Sequence, residues 1–235
     1  MSGWSARRFW TDASVEAVAG GFAVRLDARP VRTPLKAPLV LPTRDLAEAI
    51  AAEWRAQKVK VDPATMPFTR TANSAIDKVA PQFDAVVEML AAYGASDLLC
   101  YRAEHPPELV ERQERSWDPL LGWAATALGV PLVATSGVMH IDQPAESLAG
   151  LHALVAKQSA FQLAAFHDLV AISGSLILAL AVTHHRLSAE DAWQLSRVDE
   201  DWQISLWGAD EEAAQMAALK RAAFLQADRF YGLCG

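Results

Sequence analysis

Hydrophobic and polar residues alternate with a period of two early in the chain. Phe22, Val24 and Leu26 occupy the apolar positions, and a turn signal of two glycines precedes them at Gly20 and Gly21. This alternation is typical of a half-buried β-strand. Further turn signals follow at Pro30, Pro34 and Pro38. The pattern therefore predicts a small antiparallel sheet near the N-terminus.

A helix is predicted directly after this sheet. Thr43 is a favourable N-cap residue, and Leu46, Ile50 and Trp54 recur at a spacing of four residues. Side chains at this spacing form one stripe on a helix, which we expect to lie on the sheet. The sheet and the helix together predict a small β-containing domain over residues 1–62.

From residue 63 onward the apolar residues recur at helical spacing, which predicts a larger all-helical domain over residues 63–235. One helix is predicted to restart at Asp118 and Pro119, and the apolar stretch 130–141 is predicted to contain a short strand. Long helices are predicted over residues 144–157, 159–183, 188–207 and 210–231. The predicted fold class is α+β.

Composition excludes several classes of protein. The chain has 235 residues, 52% hydrophobic and 21% charged, which is the balance of a folded globular protein. No apolar segment follows the charges at Arg7 and Arg8, so no secretion or import signal is predicted. The longest apolar run, residues 169–182, is too short to cross about 30 Å of hydrocarbon, so membrane insertion is not expected. The two cysteines, Cys100 and Cys234, have no partner spacing, and a reducing cytoplasm is the expected compartment.

The negative charge of the chain is local. The net charge is -7, and residues 190–212 hold eight acids against one base, Arg197, while the rest of the chain has 20 acids and 20 bases. Nucleic-acid binding is not expected, because an acidic region repels phosphate backbones. The distribution instead predicts a partner that presents basic or polar groups.

Motifs for catalysis or cofactor binding are absent from the sequence. It contains no phosphate-binding loop and no dinucleotide fingerprint, so neither a nucleotide nor another cofactor is expected. The adjacent His184 and His185 would point about 100° apart on a helix, which argues against a metal site. Simpler structural roles are predicted for the remaining candidates: close helix packing at Ser173, Gly174 and Ser175, a small buried residue at Cys100, and a hydrogen-bonded polar edge at His167 and Asp168.

The region 188–207, predicted as one helix, is the most informative. Its core stripe would comprise Ala192, Leu195, Val198, Trp202 and Leu206, with Asp199 at the margin. On a different side, Trp193, Glu200 and Trp207 recur at steps of seven. Two interpretations remain open for that second side. Either the tryptophans pack internally and Glu200 forms an ordinary ion pair, or the side is an exposed apolar and acidic docking surface.

Six segments of the sequence together resemble one known family. They read MPFTRTANSAID at 66–77, DLLCYR at 97–102, WDP at 117–119, SGSL at 173–176, SRVDEDWQ at 196–203 and WG at 207–208. In order and content they resemble the assembly chaperones that bind the alpha subunit of F1 ATP synthase. The resemblance extends from Phe9 to about Phe224.

The resemblance implies a small β-containing domain, a larger helical domain, and neither enzymatic activity nor a bound nucleotide. It implies a chaperone that binds the free alpha subunit, shields it from aggregation and transfers it to the beta subunit. A monomeric member from a bacterial cytoplasm is expected. The family's functionally sensitive acid falls at Asp199 or Glu200, and Trp54 matches a further sensitive position for which we expect a structural role.

The predicted client-binding residues are therefore Asp199, Glu200, Trp193, Trp202 and Trp207. Two alternatives remain open at this point. One is a hydrolase that uses the carboxylates near Asp199 together with His184 or His185, and it predicts a concave pocket with converging polar groups. The other is a scaffold for a different complex, which would share the broad docking surface and differ only in its partner.

Overall fold

The computed structural model describes residues 7–137 and 139–235. Residues 1–6, at the start of the N-terminal stretch that was predicted to carry no targeting signal, lie outside the described residues, as does Val138 in the region of the predicted short strand. The described chain contains an N-terminal antiparallel sheet followed by a larger helical part. The predicted α+β class is confirmed.

Within residues 7–137, the N-terminal sheet has four strands. β1 (Ala13–Val18) pairs antiparallel with β2 (Gly21–Leu26), so that Val15 lies opposite Val24. β3 (Arg29–Pro30) and β4 (Val40–Leu41) also pair antiparallel with β2. Gly21 is required at the start of β2, because a Cβ atom there would lie 2.2 Å from the carbonyl oxygen of Leu41.

The first helix covers this sheet as predicted. In α1 (Arg44–Ala56) the Thr43 hydroxyl accepts a hydrogen bond from the Leu46 backbone N–H at 3.2 Å. Leu46 and Ile50 are completely buried. Trp54 is half-buried and packs edge-on against Trp10, with 5.2 Å between the ring centroids. These contacts place Trp54 at the edge of the hydrophobic core formed by the sheet and α1.

The described chain divides into two compact units. The first contains the described residues up to Phe83 together with Ser159–Ala165 and Arg229–Gly235, and the second contains Asp84–Gln158 and Phe166–Asp228. The core of the first unit includes Ala72, Ala165 and Phe230, which all lie beyond residue 62. A division into domains at residues 62 and 63 stays a prediction.

Most of the remaining chain is helical. α2 (Pro67–Ser74) continues through a π-helical turn (Ala75–Val79) and a 3-10 turn (Ala80–Gln82) into α3 (Phe83–Ala91). β5 (Tyr101–Arg102) and β6 (Thr135–Ser136) pair in parallel, which confirms the short strand predicted within 130–141. The later helices are α4 (Pro107–Trp123), α5 (Ala145–Ala156), α6 (Ala160–Ser173), α7 (Leu176–Thr183), α8 (Ala189–Leu195), α9 (Val198–Trp207) and α10 (Glu211–Gly232).

The prediction that a helix restarts at Asp118 and Pro119 is wrong. α4 begins at Pro107, and Pro119 lies inside it. A proline is well suited to the first helical position, where its missing N–H is no loss. Inside the helix, Pro119 removes one hydrogen bond. The neighbouring Trp117 and Leu120 are almost fully buried, and their packing keeps the helix continuous.

The predicted helix over 159–183 is two helices. Gly174 has a φ of 70° and separates α6 from α7, a conformation that favours glycine. Ser175 caps α7 by accepting a hydrogen bond from the Leu178 N–H. The fully buried carboxylate of Asp97 supports the break, because it accepts hydrogen bonds from the Ser175 hydroxyl at 2.7 Å and the Ile177 N–H at 3.0 Å. Burial raises the pKa of Asp97 above its usual value, and these hydrogen bonds offset only part of that rise.

The longest apolar run contributes to the protein core. Every residue from Leu176 to Val182 is at most 2% exposed. Within the described residues, no helix has both the length and the apolar character needed to cross a membrane.

Candidate functional site

The region 188–207, predicted as one helix, is also interrupted. α8 ends at Leu195, and α9 begins at Val198 after the turn at Ser196 and Arg197. The Ser196 hydroxyl donates to the Trp193 carbonyl oxygen at 2.7 Å, a local side-chain bond of the kind that competes with helix continuation. The predicted stripes assumed one continuous helix with about 100° between successive residues, so they do not hold across residues 188–207.

This break separates the two tryptophans that were predicted to share a face. Trp193 is 6% exposed and lies 6.2 Å from the Phe224 ring, with the Arg197 guanidinium 5.3 Å from its own ring centroid. Trp207 is 78% exposed. Of the two open interpretations, internal packing describes Trp193 and exposure describes Trp207. Leu206, predicted in the core stripe, is also exposed.

The three consecutive acids at the start of α9 have different partners. Arg197 lies 4.0 Å from the Glu200 carboxylate and 3.6 Å from the Asp201 carboxylate. Asp199 instead accepts a hydrogen bond at 2.6 Å from the side-chain amide of Gln113. Among the described residues, no cationic nitrogen lies within 4.0 Å of the Asp199 carboxylate. Asp199 is thus held in place by a neutral amide and forms no ion pair among the described residues.

Gln113 fixes two parts of the site at once. It is 1% exposed, its Nε2 atom donates to Asp199, and its Oε1 atom accepts from the Ala103 N–H at 2.8 Å. The neighbouring Trp117 donates through its indole nitrogen to the Leu195 carbonyl oxygen at 2.8 Å. α4 thereby holds the start of α9 and the segment after β5 in a defined arrangement.

An open groove lies between that segment and α9. Its volume is about 670 Å³, and its walls include Asp199, Trp202, Leu206 and Trp207 on α9, facing residues 101–106. Arg102, which also lines the groove, is 6% exposed, with its guanidinium 5.1 Å from the Trp117 ring centroid and 2.8 Å from the Asp118 carboxylate. The groove combines apolar walls with two carboxylates, Asp199 and Glu104, that form no ion pair among the described residues, which suits an apolar segment that carries a cation.

A second groove, of about 400 Å³, lies on the other side of α9 and faces α10. Glu200 and Trp207 line it together with Ile204 and Met216. Of the predicted site residues, Asp199, Trp202 and Trp207 therefore share the first groove, Glu200 and Trp207 share the second, and Trp193 lines neither.

Sequence reasoning missed Gln113 and the exposed side chains of Ile204, Leu206 and Met216. The exposure of the apolar residues has no local sequence signal, because it depends on which elements fail to cover them. Gln113 has a weak signal, as a polar residue on the stripe of α4 that also contains the buried Trp117 and Leu120.

The groups considered for catalysis do not assemble around Asp199. His184 and His185 are exposed at the end of α7, and among the described residues neither forms a hydrogen bond with Asp199. Burial raises the pKa of the Cys100 thiol to about 12, and the Ser173 hydroxyl donates to the Leu169 carbonyl oxygen at 2.6 Å. His167 and Asp168 form a hydrogen-bonded pair at 3.0 Å, which raises the pKa of the imidazole. No group of residues able to hold a metal occurs in the described ranges.

Three relatives are informative. The mitochondrial protein atp12 from Schizosaccharomyces pombe is 26% identical over 224 residues, covering 90% of this chain and 77% of that protein. The crystal structure of Atp12 from Paracoccus denitrificans is 53% identical, covers 98% of this chain and 99% of its own, and has a TM-score of 0.96. A solved variant of the P. denitrificans protein, with lysine in place of an aspartate, is 52% identical with the same TM-score and covers 98% of each chain.

The family assignment rests on both sequence and fold. The model of the ATP12 chaperone protein family matches residues 7–125, which include the N-terminal sheet, α1 and Gln113. The similarity to the P. denitrificans structure extends over the remaining helices, including α9 and α10. The chain belongs to the ATP12 chaperone family.

Proposed function

We propose that this protein is an assembly chaperone that binds the free alpha subunit of F1 ATP synthase, shields its exposed interface from aggregation and releases it to the beta subunit. The observation that carries the proposal is the carboxylate of Asp199, which forms no ion pair among the described residues, in an open groove with exposed apolar walls. Membership of the ATP12 chaperone family supports the same role.

A subunit that will later be buried in a ring exposes apolar surface while it is alone, and such surface aggregates. Leu206 and Trp207 are 55% and 78% exposed, so they are available to cover it. Trp202 is half-buried in the groove wall and adds a further apolar contact for the client. Asp199 supplies orientation, because it pairs with an arginine or lysine of the client.

The other predicted site residues take different parts in this proposal. Glu200 shares Arg197 with Asp201, so its charge is partly compensated and its contribution is smaller than that of Asp199. Trp193 stabilises α8 against Phe224 and has no direct client contact. Trp54 has a structural role through its packing on Trp10.

Release requires only that the beta subunit compete for the same client surface. An affinity on the order of micromolar, about -8 kcal/mol, is sufficient to protect the client and still permits exchange. We propose that the chaperone acts as a monomer in a bacterial cytoplasm, in keeping with its similarity to the P. denitrificans protein.

The test is co-expression with the cognate alpha subunit, with and without beta, followed by size-exclusion chromatography. We expect a complex with alpha that disappears when beta is present. Asp199→Asn should weaken alpha binding about 30-fold or more, because breaking a buried charge pair costs about 2–5 kcal/mol, and Glu200→Gln should weaken it less. If the unmodified chain elutes alone while alpha aggregates, the protein is not an alpha chaperone, and a complex with another partner would favour the scaffold alternative.

A further inference from the structure

The apolar surface of α9 continues past the Asp199 groove onto α10. We define the acidic arm as residues 198–220, which comprise α9, the turn after it and the first half of α10. Every residue from Gln203 to Met216 is exposed. The arm includes five exposed large hydrophobic side chains: Ile204 at 40%, Leu206 at 55%, Trp207 at 78%, Met216 at 50% and Leu219 at 65%.

Four of these five side chains line the two grooves beside α9. Leu206 lines the Asp199 groove, Ile204 and Met216 line the groove between α9 and α10, and Trp207 lines both. Two small residues, Ala213 and Ala217, also line the second groove. α9 is therefore a ridge with an open apolar groove on each side.

The charges of the arm indicate what kind of surface would cover it. Between Val198 and Lys220 the sequence has six acids and one base, Lys220 itself. The second groove is lined by two acids, Glu200 and Asp210, and by two bases, Arg197 and Lys220, so the excess of acids lies outside it. Asp210 is occupied as a helix cap, because its Oδ1 atom accepts from the Ala213 N–H at 2.8 Å. Glu211 and Glu212 are exposed at the start of α10, and in the sequence they lie between Asp210 and Ala213, which line the second groove. The complementary surface is apolar in the middle and basic where it meets these two acids.

We propose that the client of the Asp199 groove also fills the α9–α10 groove, so that it contacts both sides of α9. The occupant is an apolar segment of the same client, with Arg or Lys side chains directed at Glu211 and Glu212. This inference rests on the proposed function and extends it, since Trp207 and Gln203 belong to both grooves and make the two surfaces continuous.

A matched pair of methionines tests the apolar contact. Met216 and Met89 are exposed by 50% and 47%, and both lie on helices, α10 and α3. Met216→Gln should weaken binding of the purified alpha subunit about ten-fold, as expected when a buried apolar anchor is lost, whereas Met89→Gln should change it by less than about two-fold.

A second pair tests the charge contact. Glu211→Gln combined with Glu212→Gln should slow association about three-fold to ten-fold and reduce its salt dependence. Glu146→Gln, which also removes an exposed acid from the first turn of a helix, should leave association unchanged.

The outcomes separate this inference from the proposed function. Binding by the unmodified chain and loss of binding in Asp199→Asn, with Met216→Gln indistinguishable from the unmodified chain, would overturn the second groove alone. Failure of the unmodified chain to bind alpha would overturn both. A concentration-dependent dimer of this chain in light scattering that Met216→Gln abolishes would assign the groove to a second copy and also overturn the inference.

Discussion

At the scale of single residues, two adjacent carboxylates at the start of α9 have different partners. Asp199 and Glu200 are adjacent and almost equivalent in sequence, yet only Glu200 lies beside Arg197, while Asp199 is bound by an amide from α4. The difference arises from a residue 86 positions away, which no local pattern can reveal. Trp193 and Trp207 are a second example, because burial separates them even though their side chains are identical.

Gln113 provides a residue-scale prediction. If Gln113 acts on binding by orienting Asp199, then Gln113→Met and Asp199→Asn weaken the same contact, the pairing of the Asp199 carboxylate with a cation of the client. We expect each single variant to weaken alpha binding about ten-fold or more. The dissociation constant of the double variant should lie within about two-fold of that of the weaker-binding single variant, because the effects of interacting residues are not additive. Calorimetric titration of the four proteins gives the coupling directly.

The matched control for this cycle is Gln143→Met. Gln143 is also a buried glutamine that binds backbone at both ends, the Val133 N–H at 2.8 Å and the Val133 carbonyl oxygen at 2.9 Å, without contacting Asp199. It should combine additively with Asp199→Asn. If the losses of binding free energy from Gln113→Met and Asp199→Asn are also additive, Gln113 does not act through Asp199 and only stabilises the fold.

At the scale of elements, the apolar pattern located most helices but not their interruptions. The predicted helices over 159–183 and 188–207 are each broken once, at Gly174 and at Ser196 with Arg197. Both breaks involve serine hydroxyls that bond to nearby backbone, and such bonds are compatible with either a helix or a turn. Burial of Asp97 against α7 and of Trp193 against Phe224 decides the outcome, and both are tertiary effects.

The broken helix at Gly174 leads to a prediction about stability. Asp97→Ala leaves the buried N–H groups of Leu99 and Ile177 without an acceptor and frees the Ser175 hydroxyl. Each buried unsatisfied group costs about 1–3 kcal/mol, so we expect a loss of roughly 3–5 kcal/mol in the free energy of unfolding. Urea denaturation measures it.

The control for this variant is Asp84→Ala. Asp84 is an exposed acid on α3 whose side chain has no hydrogen-bond or ion-pair partner among the described residues, and its removal should change the free energy of unfolding by less than about 0.5 kcal/mol. A similar small loss in both variants would show that the buried carboxylate does not stabilise the start of α7.

At the scale of the whole molecule, the negative charge is concentrated in one segment of the chain, and part of it is exposed in the folded protein. Residues 190–212 account for the whole net charge of -7, since the rest of the chain is balanced. In the folded protein, Glu190 is paired with Arg221 while the acids at the start of α10 remain exposed. A molecule whose net negative charge comes from one segment attracts a basic partner from a distance and orients it during approach.

This asymmetry predicts how salt affects client capture. Raising the salt concentration from about 50 mM to about 500 mM should slow association with the alpha subunit about ten-fold or more, because the screening length falls from above 10 Å to below 8 Å. The dissociation rate should change much less, since the apolar contacts of Leu206 and Trp207 are insensitive to salt. Trp207→Ala should show the opposite behaviour, with faster dissociation and an unchanged salt dependence of association. Stopped-flow measurements of both rates decide the matter: a salt-independent association rate would mean that the acids of α9 and α10 do not face the client during capture.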